Sequence, residues 1–154
     1  SELPAVLAAL DSGRLHAYAC DFPSNALKAH PRVIALPHLG ASTAEAEDNC
    51  AVMAAEQLKA YLQSGEITNS VNFPEAKLRR APGTTRVAIT NSNVPNMVGQ
   101  ISTLLAEHGL NIADLLNTSR GEYAYTLIDV EGAVGDGLVD AIRAIGGVLT
   151  VRVL

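Results

Sequence analysis

The sequence has no tryptophan, and aromatic residues make up only 4 % of its 154 positions. That scarcity argues against a nucleic-acid surface built on stacked bases, which needs aromatic faces in series. Glycine-rich phosphate loops are missing too. Neither G-x-G-x-x-G nor G-x-x-x-x-G-K-[ST] occurs, so the usual cradles for dinucleotide or nucleotide phosphates are not in this stretch. The two cysteines, Cys20 and Cys50, lack metal-ligand spacing. They read as small buried apolar residues of a reducing compartment, and no metal site is expected. There is no secretory pattern and no apolar run of about 18 residues, which predicts a soluble, cytoplasmic chain without membrane contact. Basic charge is also short, with 11 Lys and Arg against 16 Asp and Glu, net −5. Nucleic acid and anionic membrane both attract basic patches and are disfavoured as partners. Finally, "SELPAVLAALDSG" enters helical periodicity at once with no initiator methionine, as expected if a longer chain was cut here.

What is present is a chain 48 % hydrophobic and 18 % charged, enough for one ordinary core or two small ones. Leu3, Val6, Leu7 and Leu10 recur at helical spacing up to Asp11-Ser12-Gly13. "RLHAYACDF" reads as a short strand and "RVIALP" as a second, fully buried one. His38 then stands at the carboxyl end of that strand, where open α/β sheets gather their ligands. Ser42-Thr43-Ala44-Glu45 is a capping box for a helix of about 20 residues carrying Cys50, Met53, Leu58, Tyr61 and Leu62 on one face. "NSVNFPEAKLRRAPGT", with its prolines and basic pair, reads as a linker.

Beyond it the pattern is regular. "TRVAIT" is a strand, Asn93-Val94-Pro95 opens a helix closed by Gly109, "LNIADLLNTS" and "EYAYTLIDVE" form a hairpin, Asp136 caps a second helix, and "VLTVRVL" is the last strand. The order β-α-β-β-α-β is the ferredoxin-like split arrangement, so the predicted class is α+β. Tyr123 and Tyr125 share a strand face and read as cross-strand packing. Asn91, Asn93 and Asn96 cluster at a helix N-terminus, and Asn111 starts the next strand. Amides offer donors and acceptors, which beside a helix end suit an α-amino acid. The same residues also read simply as caps and turns.

"NSNVPNMVGQISTLLAEHG" with "GLNIADLLNTSRGEYAYTLIDVEG" resembles an ACT domain. "ALPHLGASTAEAEDNCAVMAAEQLKAYLQSGEITNSVNFPE" is similar to the C-terminal third of the bacterial D-3-phosphoglycerate dehydrogenase family. The resemblance spans essentially the whole chain. It implies a Rossmann-type nucleotide-binding remnant over residues 1–41, a long helix, returning substrate-domain segment and linker over 42–83, and an ACT regulatory domain over 84–154.

By that resemblance His38 is the catalytic acid–base, a role for which imidazole is the usual side chain. Asp21 holds the nicotinamide carboxamide of NAD, and His38, Leu39, Gly40 and Ala41 form the turn touching the cofactor. The family's catalytic arginine falls before residue 1, and Asn25 stands near the place of the glutamate that orients the histidine. Effector contacts fall on Asn91, which replaces a histidine, on Asn93 and on Asn111. Asn96 replaces a glycine. The implied effector is L-serine, held between ACT domains paired edge to edge in a homodimer, with a larger homo-oligomer in the parent. The parent oxidises 3-phosphoglycerate to 3-phosphohydroxypyruvate at the start of serine biosynthesis, and the fragment alone is expected to be inactive. Two alternatives remain: an ACT domain serving only oligomerisation, and another 2-hydroxy-acid dehydrogenase.

Overall fold

A computed structural model describes residues 3–154. They divide into two compact units, Ser1–Cys50 and Ala51–Leu154, with the boundary inside one long helix. In the first unit, helix α1 (Leu3–Asp11) precedes strand β1 (Tyr18–Cys20), a one-turn helix α2 (Asn25–Lys28) and strand β2 (Val33–Ala35). β1 and β2 pair in parallel, Cys20 opposite Ala35. Leu10 and Leu27 are buried, and the Arg32 guanidinium donates to the Leu10 carbonyl at 3.1 Å. Ser24 caps α2 by accepting from the Leu27 N–H. The strand read as fully buried is not: Ile34 is 55 % exposed. A parallel strand is buried only when elements cover both of its faces, and this sheet has two strands.

Helix α3 (Ala44–Ser64) begins one residue later than the capping box implies, because Thr43, not Ser42, accepts from the Ala46 N–H at 3.1 Å. None of its residues is fully buried, and Met53, Leu58 and Leu62 stay more than half exposed. Neither cysteine is buried: Cys50 is exposed and Cys20 half-buried.

The second unit holds β3 (Thr84–Ser92), α4 (Met97–Glu107), β4 (Asn111–Arg120), β5 (Tyr123–Glu131), α5 (Asp136–Arg143) and β6 (Val148–Val153). The sheet is antiparallel in the order β4-β5-β3-β6, the ferredoxin-like arrangement expected of an ACT domain. Alternation sends Val87, Ile89, Ile128 and Val130 to one face, where Ile101 and Leu105 of α4 and Leu138 and Ile142 of α5 close the core. α4 starts at Met97 and not at Asn93. Pro95 lacks an N–H, and Asn96 adopts a left-handed conformation (φ 66°) that a helix cannot continue.

The opposite face is covered as well. Ala88, Tyr125 and Leu127 pack with Ile67 and Ala76, joined at the margin by Tyr61, Phe73 and Leu78. The stretch whose prolines read as a linker therefore lies against the sheet, pinned where Ile67 and Ala76 exchange backbone hydrogen bonds of 2.9 and 3.0 Å.

The C-terminus of α3 is held from this face. Arg152 donates to the carbonyls of Tyr61 and Leu62 at 3.3 and 3.0 Å while its guanidinium lies 4.7 Å over the Tyr61 ring. Arg86 donates to the Ser64 carbonyl at 3.0 Å, and the Tyr125 hydroxyl to Gly65 at 2.7 Å. Two cations thus meet the negative end of the helix, where the Leu62 and Ser64 carbonyls take their hydrogen bonds from arginine.

Candidate functional site

Two places carry chemistry, one in each unit. In the first, β1 and β2 run parallel and end level, so Asp21 and His38 both follow strand carboxyl ends. Both are exposed. The His38 ring meets Phe22 edge-on, with centroids 5.5 Å apart. Leu39–Ala41 form a tight turn in which Ser42 N–H donates to the Leu39 carbonyl at 3.1 Å. The topology brings these residues to one edge of the strand pair, with an acidic acceptor, an imidazole and turn amides. Asn25, near the place of the expected orienting glutamate, is the first residue of α2.

In the second unit, β3 ends in a short turn leading into α4. Its register with β6 shifts between Thr90 and Asn91. Such a bulge re-aims the side chains that follow it. Asn91 is only 1 % exposed, and its amide donates to the Ser92 carbonyl at 2.8 Å. Its Oδ1 is buried with no hydrogen-bond partner among the described residues. A buried acceptor left unpaired costs about 1–3 kcal/mol. Asn91 borders a cavity of about 160 Å³ whose other walls include Asn93, Asn96, Met97, Gly99 and Asn117.

The first intrahelical bond of α4 runs from Gln100 N–H to the Asn96 carbonyl. The N–H groups of Met97, Val98 and Gly99 therefore precede the ladder, and Asn96 makes no side-chain cap. A Cβ added at Gly99 would collide with Asn96 Oδ1, so the first turn admits the amide only above glycine. The cavity thus combines outward-facing amide donors, the positive end of a helix dipole and one desolvated acceptor. That set matches a zwitterion.

Asn93 stands at the same end, where its amide donates to the Gly121 carbonyl at 3.0 Å and ties the turn to the β4–β5 hairpin. Asn111 does not join them. It pairs with Glu131 at the opposite end of β4, donating to its carboxylate at 3.0 Å. A second cavity of about 390 Å³ lies on the other face of the sheet, against Tyr61, Phe73 and Tyr125. Tyr125 is already committed there, its hydroxyl donating to Gly65.

No protein-family model matches the sequence. Curated relatives do. D-3-phosphoglycerate dehydrogenase of Haemophilus influenzae is 31 % identical over 164 residues, covering 99 % of this chain and 40 % of that protein. The Escherichia coli enzyme of the same name is 31 % identical over 166 residues with the same coverage. The chain belongs with the D-3-phosphoglycerate dehydrogenases, as a homologue of their C-terminal part. It spans about 40 % of the length of these relatives. D-3-phosphoglycerate dehydrogenase 2 of Saccharomyces cerevisiae is 35 % identical over 104 residues, covering 65 % of this chain and 22 % of that protein. Among solved structures, the ACT domain from GTP pyrophosphokinase of Chlorobium tepidum aligns with 46 % of this chain and 96 % of that one, at 20 % identity and a TM-score of 0.41. No described helix is long and apolar enough to cross a membrane.

Four residues of this dehydrogenase homologue escape a reading by sequence. Asn117 and Thr126 are register partners on β4 and β5, and the Asn117 amide donates to Thr126 Oγ1 at 2.7 Å beside the cavity. Arg86 and Asp129 are partners on β3 and β5. An asparagine in mid-strand and opposite charges inside apolar runs were the available signals, because strands disfavour both unless they are paired.

Proposed function

We propose that the chain is the regulatory C-terminal part of an NAD-dependent D-3-phosphoglycerate dehydrogenase and that its ferredoxin-like domain binds L-serine as a feedback effector. The unpartnered, buried Asn91 Oδ1 carries this reading. An α-ammonium group would supply the missing donor, while the effector's carboxylate would accept from the first-turn amides of α4. The homology supports the pathway, since serine is the end product expected for the parent enzyme.

The far placement of Asn111 fits a homodimer. β4 is a sheet edge with free backbone groups. Antiparallel pairing with β4 of a second copy sets the N-terminal end of one strand beside the C-terminal end of the other. The partner's Asn111 would then approach the end of the sheet that carries Asn91 and Asn93.

In the first unit His38 is the proposed acid–base of the parent, exchanging a proton with the substrate hydroxyl. The residues present suit only the nicotinamide end of NAD: Asp21 offers an acceptor to the carboxamide and the 39–41 turn offers amides. NAD, when bound, supplies the hydride acceptor. The chain itself contains no glycine loop for the pyrophosphate, so the isolated chain is proposed to be inactive.

Isothermal calorimetry with L-serine, and with D-serine and glycine as controls, tests the effector reading. Saturable heat is expected with L-serine, with weaker binding or none for the two controls. A dimer that takes up none of the three would leave the domain an assembly element.

A further inference from the structure

We propose that Asn117 selects the effector by its side chain, accepting a hydrogen bond from a hydroxyl one carbon beyond the α-carbon. The inference rests on the effector reading of the cavity at Asn91. Asn117 and Thr126 face each other across β4 and β5 on the side of the sheet that α4 covers. Asn117 Nδ2 donates to Thr126 Oγ1 at 2.7 Å, and Thr126 is fully buried. A hydroxyl can donate as well as accept, so it is the orientation in this structure, Nδ2 toward Thr126, that frees Oδ1. Oδ1 is then left without a partner, beside the second amide hydrogen, on a residue that helps to line the cavity.

The polar inventory of the cavity becomes specific. Beside the Asn93 and Asn96 amides in its walls, it offers the first-turn amides of α4 as donors and Asn91 Oδ1 and Asn117 Oδ1 as acceptors. A ligand that engages the helix amides and these two acceptors needs a carboxylate, an ammonium and one further donor. L-Alanine has the first two and lacks the third. Three fixed points also distinguish the L from the D configuration, because the mirror image reaches only two at once. Asn117 stands exposed on an edge strand, so replacing it disturbs the core little, unlike any change at Asn91.

The test is calorimetry of the whole chain with L-serine and L-alanine as probes. Wild type is expected to prefer L-serine by about tenfold, the weight of one ordinary hydrogen bond. Asn117→Ala should bind the two amino acids alike, with L-alanine affinity within about twofold of wild type. Thr126→Val, which leaves Asn117 in place without its anchor, should reduce the preference. An unchanged preference in Asn117→Ala with serine still bound overturns the selection and leaves the effector reading standing. Loss of both ligands in that variant also overturns it, since Asn117 would then shape the cavity and not select within it. A wild-type chain that binds neither amino acid removes the effector reading itself, and this inference with it.

Discussion

Arg86 and Asp129 face each other across β3 and β5 and are joined by two hydrogen bonds of 2.6 and 2.7 Å, with both side chains wholly shielded from water. Asp129 holds the guanidinium charged, moving its pKa above the usual arginine value despite burial. The carboxylate also accepts from the Ala81 N–H, and Arg86 reaches the Ser64 carbonyl at the end of α3. One pair therefore joins the sheet, the segment before it and the long helix.

Removing one partner strands a buried charge, which costs about 3–5 kcal/mol. Arg86→Met is expected to lose that much in urea unfolding of the chain. Arg86→Met combined with Asp129→Leu should recover most of it. A single variant within 1 kcal/mol of wild type, on the order of a surface substitution, would show that the pair is dispensable.

Gly65 ends α3 at φ 72°, and a Cβ there would lie 3.0 Å from side-chain atoms of both Leu127 and Leu154. Gly65→Ala carries the left-handed penalty of about 1–2 kcal/mol plus the displacement of two packed leucines. Gly40→Ala, with open space around the added carbon, is the control and should leave the melting temperature unchanged.

Burial pushes the Tyr125 phenol above its ordinary pKa near 10, with Tyr61 adding to the shift. The folded state then keeps a proton that the unfolded state loses first. The contribution is complete below pH about 10 and is lost as pH rises through the folded value. Tyr125→Phe is expected to be less stable at neutral pH by about 1 kcal/mol, for the bond to Gly65. Its stability should fall less steeply than that of wild type above pH 10. Parallel curves for the two proteins would contradict the assignment.

L-Serine held between two copies would stabilise the dimer by mass action, about 2.7 kcal/mol at a hundredfold excess over its Kd. Sedimentation velocity with and without serine should show this in wild type. Asn93→Ala should lose it while the unliganded dimer persists, because edge pairing is mostly backbone. Serine stabilisation that survives in Asn93→Ala would remove Asn93 from the site.

In the complete enzyme, His38→Ala is expected to lower kcat by about 10²–10⁴, the usual weight of general acid–base help. The heat of L-serine binding should not change. Turnover near wild type would exclude His38 as the proton carrier.

Much of this molecule was readable from its residues. The ferredoxin-like order follows from period-2 and helical patterns over residues 84–154, because Val87, Ile89, Ile128 and Val130 must face one core. The cluster Asn91, Asn93 and Asn96 at a helix N-terminus was visible from turn chemistry. Local patterns, however, record only neighbours along the chain. They could not show that the proline-bearing stretch covers the second face of the sheet, since its contacts with Ala88 and Leu127 lie far off in sequence. The orphaned state of Asn91 Oδ1, the union of Asn117 with Thr126 and the separation of Asn111 from the other asparagines depend on strand register. Register is set by how two distant segments pack, so the tertiary structure alone decided which polar atoms are satisfied and which are left unpaired.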